Sequence, residues 1–140
     1  MRQIGIIDTV FLVAFLNSTE QYHPWVKGQL NNIPSPLLTC EPVITETLFL
    51  LVKIHRGEDM VFKLLTQNKI KIPFRLDQEL ESVRQLMEKY RSVPISLADA
   101  SLVRMSEIHS NSIVLTLDSD FRVYRKNKKQ MINLVIPDDV

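Results

Sequence analysis

The feature that most constrains this chain is a pair of short apolar runs that each stop dead at an aspartate. Gln3 to Ile7 ends at Asp8, and the β-branched run Ser112 to Leu117 ends at Asp118. Neither run alternates polar with apolar, so each suits a strand buried on both faces, as parallel strands are. Helical patterns fill the chain between them. Thr9 to Asn17 is a short apolar helix, and Gln21 to Leu30 is a second, behind the break at Asn17-Ser18-Thr19. Leu37 to Cys40 fits a short strand. Pro42 suits the first turn of a helix that continues from Val43 to about His55, where Gly57 can end it. That helix is apolar on most sides and is expected to be buried. Glu58 to Gln67 carries a 3.6-residue pattern, Lys69 to Ile72 an edge strand stopped by Pro73, and Leu76 to Tyr90 an amphipathic helix. Ser96-Leu97-Ala98-Asp99 resembles a capping box opening a helix that reaches His109, and Ile132 to Ile136 is the last strand.

Short strands alternating with helices indicate an α/β sandwich, because parallel neighbours need helical crossovers. The 140 residues, 45% of them hydrophobic, supply one core, and a single domain over 1–140 is expected. Cys40, the only cysteine, excludes an internal disulfide and multi-cysteine zinc motifs. With no apolar N-terminal leader and no run long enough to span a bilayer, a soluble cytoplasmic protein is expected. Seventeen basic against sixteen acidic residues leave bulk charge uninformative. The local excess Arg122, Arg125, Lys126, Lys128 and Lys129 is either a solvated face or a phosphate contact, and Arg122 and Arg125 are the candidates for holding a polyanion.

In such folds the open position is outside the carboxyl ends of the strands, where Asp8 and Asp118 fall. Either could be no more than the N-cap of the helix that follows. Asp99 shares a helix face with Leu102 and Val103, and Glu46 shares one with Val43, Phe49 and Leu50. Both carboxylates are therefore expected to point inward. Four such acids repel one another unless a divalent cation intervenes. All-oxygen ligands suit Mg²⁺ or Mn²⁺, and such an ion activates water for phosphodiester hydrolysis.

Ile6-Ile7-Asp8-Thr9, Val43-Ile44-Thr45-Glu46, Ser96-Leu97-Ala98-Asp99-Ala100 and Leu115-Thr116-Leu117-Asp118-Ser119-Asp120-Phe121 stand in the order and spacing of a known family. In these residues the chain resembles the PIN domain, and within it the VapC-like ribonucleases of bacterial toxin-antitoxin pairs. The resemblance implies a three-layer Rossmann-like fold, with a mostly parallel central sheet of about five short strands flanked by helices. It implies a Mg²⁺- or Mn²⁺-dependent endoribonuclease. By the same comparison Asp8 and Asp99 are the principal metal ligands, Asp118 completes the acidic set, and Glu46 orients or deprotonates the attacking water. Thr9, Thr45 and Thr116 would support the pocket. Asp120 stands two residues beyond Asp118 and is the alternative fourth carboxylate. A cognate antitoxin, an RNA substrate and a homodimer are the implied partners. The alternatives are a PIN scaffold that binds RNA or protein without cutting, and a stand-alone RNA-processing nuclease.

Other acid-site families fit worse. A phosphatase of the haloacid dehalogenase kind needs an acid two residues after Asp8, where Val10 stands, and a receiver domain needs a lysine after a late strand, where Val135-Ile136-Pro137 has none. Glycines at 5, 28 and 57 cannot form a dinucleotide-binding turn. Trp25 and Cys40 read as packing residues, and His109 as a helix-end residue.

Overall fold

The computed structural model describes residues 3–140. The leading apolar run forms β1 (Ile4–Ile7), and the chain then builds α1 (Thr9–Leu16), α2 (His23–Leu30), β2 (Leu37–Leu38), α3 (Glu41–Leu50), α4 (Gly57–Thr66) and β3 (Ile70–Lys71). It continues through α5 (Leu80–Lys89), α6 (Leu97–Ile108), β4 (Ser112–Leu115), β5 (Arg125–Lys126), β6 (Gln130–Met131) and β7 (Leu134–Val135). Five strands make one sheet in the order β3-β2-β1-β4-β7, with every neighbouring pair parallel. The expected three-layer α/β architecture is therefore the one observed.

Alternation along the central strands builds the layers. Ile6 and Val114 point into a core with Leu102, Val103 and Met105 of α6 and Val83 and Leu86 of α5. Their neighbours Ile7 and Leu115 point the other way, into a core with Phe11 and Leu12 of α1, Val26 of α2 and Val61 of α4. Trp25 packs edge-on against Phe11 with ring centroids 6.0 Å apart, and Cys40 is fully buried. Gly5 has a steric reason. A Cβ there would meet Leu37 Cδ2 at 2.8 Å and Ile33 Cγ2 at 2.9 Å, so a side chain on β1 would push the β2 segment away.

Three expectations need correction. The helix from Pro42 stops at Leu50 rather than near His55, because Leu51 is drawn into the core and the chain turns over it. Arg56 then takes a left-handed conformation at φ 59°, and Gly57 opens α4 instead of closing α3. A Cβ at Gly57 would come within 2.7 Å of the Leu51 carbonyl oxygen, which fixes glycine at that crossing. Nor is α3 buried on most sides. Val43, Ile44 and Thr47 face inward, whereas Phe49 is 76% exposed and Leu50 lies open as well. The amphipathic segment from Leu76 begins as a 3-10 turn over Leu76–Gln78 and becomes α5 only at Leu80, whose side chain is 59% exposed rather than packed. The basic run folds into an antiparallel hairpin of β5 and β6, separate from the main sheet, which the charge pattern did not foretell. Its turn contains Asn127 and Lys128, both with positive φ. Asparagine tolerates that region, and Asn127 was the one local signal of a turn.

Candidate active site

β1 ends where α1 begins, and Asp8 occupies the junction. Its Oδ1 accepts the Thr9 backbone N–H at 2.7 Å, so the capping role is real. The second oxygen does something a cap does not require: Oδ2 accepts the Thr116 hydroxyl at 2.8 Å from the far end of the neighbouring strand. Thr116 Oγ1 in turn accepts the Asp118 N–H at 3.0 Å. One buried hydroxyl thus ties the ends of β1 and β4 together and sets Asp118 beside Asp8. Asp118 Oδ1 accepts the Asp120 N–H at 2.9 Å, which caps the 3-10 turn Ser119–Arg122.

Asp99 arrives from the first turn of α6, where Ser96 Oγ accepts its N–H at 3.0 Å. The Tyr124 hydroxyl lies 2.9 Å from the Pro94 carbonyl and 3.3 Å from Asp99 Oδ2, and its one proton serves those two acceptors. Tyr124 was not singled out as a site residue, since an aromatic inside a basic run gives no sequence signal of such a contact. Glu46 contradicts the expectation of burial. It sits on the exposed side of α3, because the stripe it shares with Phe49 and Leu50 faces solvent. It still reaches the site: the Thr9 hydroxyl donates to its Oε2 over 3.4 Å, a long bond. Thr45 points elsewhere and donates to the Glu41 carbonyl.

The carboxylates share one electrostatic field. Asp8 is 4% exposed, and burial raises its pKa from 3.8 to about 6, with Asp118 and Glu46 adding to the rise and the Thr116 and Thr9 hydrogen bonds opposing it. Burial raises Asp99 from 3.8 to about 7, reinforced by Asp8 and Asp118 and weakly by Glu46. The Tyr124 phenol is pushed upward by burial and by Asp99, Asp120 and Asp118. Cys40 beneath the site is raised to about 12, mainly by burial, which leaves a protonated, unreactive thiol. Among the described residues the side-chain ion pairs lie elsewhere, at Arg56–Asp59, Arg75–Asp77, Arg84 with Glu81 and Glu88, and Arg104 with Glu79 and Glu107.

Crowded carboxylates without a basic partner are a donor set that fits a hard divalent cation. Among the described residues, however, no three acidic, histidine or cysteine side chains stand together as a ready-made metal cage. The predisposition lies in the charge and in the strand ends that fix Asp8 and Asp118.

These strand-end acids fall inside a recognised sequence pattern. The model of the PIN domain family matches residues 6–127. The chain belongs to the PIN domain family. A search among curated proteins gives no match. Among solved structures it is similar to VapC20 of Mycobacterium tuberculosis, described as a sarcin-ricin loop cleaving toxin, with a TM-score of 0.75 and 20% identity over 85% of this chain and 93% of that one. It is also similar to VapBC2 of Rickettsia felis, solved with a DNA fragment from its promoter, with a TM-score of 0.63 and 13% identity over 97% of this chain and 100% of that one. At such identities the likeness is one of fold.

Two arginines of the basic run bond to the polypeptide backbone. The Arg122 guanidinium donates to the Val140 carbonyl at 3.2 Å and the Pro137 carbonyl at 3.1 Å. Arg125 Nη1 donates to the carbonyls of Arg122, Val123 and Tyr124. Both guanidiniums hold the polypeptide together.

The raised carboxyl pKa values give a stability prediction for the metal-free protein. A carboxyl that is protonated more readily when folded contributes stability that is complete below its unfolded pKa and is lost as pH rises through its folded pKa. For Asp8 that window runs from 3.8 to about 6, and the loss is about 3 kcal/mol at about 1.4 kcal/mol per unit. Asp8→Asn in chelator should therefore match wild type at pH 4 and exceed it by about that amount at pH 8. Urea unfolding at the two pH values checks this; an equal difference at both would refute it.

Proposed function

We propose that the protein is a Mg²⁺- or Mn²⁺-dependent endoribonuclease and the toxin of a toxin-antitoxin pair. The observation that carries this reading is the Thr116 bridge: it binds Asp8 and Asp118, from strands 108 residues apart, into one acidic basin that also raises Asp99. Structural carboxylates are normally paired or solvated, whereas these are crowded, part-buried and without a basic partner. The two similar structures described above, one a sarcin-ricin loop cleaving toxin and the other VapBC2 bound to promoter DNA, support the choice of RNA and of an antitoxin as partner.

In this reading Asp8, Asp99 and Asp118 hold the cation. When bound, the ion supplies charge neutralisation at the scissile phosphate and lowers the pKa of water. Each side chain has a separate task. Thr116 and Thr9 fix the Asp8 carboxylate, so its oxygens are oriented before substrate arrives. Tyr124 restrains Asp99. Glu46, exposed at the rim and held through Thr9, is open to solvent on the side from which water comes, and it accepts the proton from that water. Asp118 is the fourth carboxylate in preference to Asp120, because the Thr116 hydroxyl links its backbone directly to Asp8, whereas Asp120 is tied only to Asp118, by its own N–H. A homodimer belongs to the same reading. Among the described residues no helix is long and apolar enough to cross a membrane.

Incubation of the purified protein with a labelled structured RNA tests the proposal. Cleavage in Mn²⁺ or Mg²⁺ that ceases in chelator is the expected result. Binding without cleavage in either metal would favour the non-catalytic scaffold, and cleavage indifferent to chelator would contradict metal dependence.

A further inference from the structure

A cleft of about 620 Å³ opens directly from the acidic basin. Asp99 and Asp120 form one part of its wall, Pro94 to Ser96 another, and Tyr90 and Arg91 a third. We infer that Arg91 grips a phosphate of the RNA strand lying along this cleft, one or more nucleotides from the bond being cut. The inference rests on the nuclease reading for its substrate and on two independent observations for its residue.

The first is position. Arg91 is an exposed cation in the same cleft as Asp99 of the site and its neighbour Asp120, so a polyanion that reaches the basin with its cation bound can continue along the cleft toward a positive charge. The second is availability. Every other described arginine is engaged: four pair with carboxylates, and Arg122 and Arg125 donate to backbone carbonyls. Arg91 makes a backbone bond to the Glu88 carbonyl, but among the described residues its guanidinium has no partner. A bidentate fork left open beside an acidic site is suited to phosphate oxygens. The ordinary explanation, a cation placed after the C-terminus of α5 to favour the helix dipole, is already met by Lys89 in its last turn.

A second groove, on the Glu46 side, offers no unpaired arginine. It is lined by Glu41, Glu46, Asp77 and apolar side chains, and its one arginine, Arg75, is paired with Asp77. Its acidic rim repels a sugar-phosphate chain. The Arg91 cleft is walled by Asp99 and Asp120, but its arginine is unpaired, and that is what makes it the side on which the phosphates run.

The test measures binding apart from cutting. A fluorescent single-stranded oligoribonucleotide is titrated, by anisotropy at several salt concentrations, with protein carrying Asp8→Asn, alone and combined with Arg91→Ala, Arg91→Lys or Arg84→Ala. Arg84 lies within α5, upstream of Arg91, and is paired with Glu81 and Glu88, so it controls for lost charge. The expected result is roughly tenfold weaker binding for Arg91→Ala, with a salt slope smaller by about 0.7, partial recovery in Arg91→Lys, and no change in Arg84→Ala. Equal behaviour of the Arg91→Ala and Arg84→Ala proteins would overturn the assignment, as would Arg91-dependent binding of an acidic peptide with RNA binding unaffected. A wild-type protein that binds RNA through Arg91 yet cuts nothing in Mn²⁺ would overturn the nuclease reading and leave the phosphate contact standing.

Discussion

Asp8→Asn should lower RNA cleavage in Mn²⁺ by about a thousandfold or more while leaving the protein folded. The amide keeps an oxygen for the Thr9 N–H, and its NH₂ can donate to Thr116, so the junction of β1 and α1 survives. What disappears is the negative charge at the most buried carboxylate of the basin. Losing several kcal/mol of electrostatic stabilisation at the transition state is worth about three powers of ten at 1.36 kcal/mol each. The same charge costs stability when no cation is bound, so one substitution moves activity and metal-free stability in opposite directions. Single-turnover cleavage read beside a thermal melt checks both. Retention of activity within tenfold of wild type would remove Asp8 from the chemistry.

Phe121→Ala should destabilise the protein by about 3–5 kcal/mol, a large share of the roughly 5–15 kcal/mol that holds a domain of this size folded. The ring is 1% exposed and stands edge-on to Tyr124 at 5.2 Å, and Tyr124 stands edge-on to Tyr90 at 5.1 Å. Removal leaves a cavity beneath the Asp118–Asp120 turn and takes away the packing that holds Tyr124 against Asp99. Activity should therefore fall as well. Met131→Ala provides the contrast: at 69% exposure it should change stability by less than about 0.5 kcal/mol. Denaturant unfolding of the two variants is the check, and similar small losses in both would show that the Phe121 cluster does not carry the fold here.

The sheet and the ends of its central strands could be read from the sequence because one physical pattern governed both. An apolar run buried on both sides must terminate where it meets water, and Asp8 and Asp118 mark those points. Asp99 was legible for a related reason, since the Ser96 cap fixes where α6 begins and hence which side the third helical residue faces. Glu46 was placed correctly along the chain and wrongly in depth. The neighbours used to infer burial, Phe49 and Leu50, are apolar but exposed, so hydrophobic identity misled where only packing could decide. The end of α3 was misread because Leu51 leaves the helix to fill the core, a tertiary demand that no local signal announces. The β5–β6 hairpin was hidden for a further reason. It is held by contacts with residues distant in the sequence, with Glu107 accepting the Asn127 N–H at 2.6 Å and Lys89 donating to the Lys128 carbonyl at 2.7 Å, rather than by an apolar period. The free guanidinium of Arg91 was likewise invisible, because it becomes notable only once the partners of the other arginines are known.

The most direct measurement is the melting temperature at pH 8 through a Mn²⁺ titration, on wild type and on Asp8→Asn. Relief of carboxylate crowding by a bound ion requires wild type to melt at a progressively higher temperature until the site is filled, and requires the variant, already relieved of that charge, to respond far less. Identical shifts in the two proteins, or none in wild type, would mean that these acids do not share a cation.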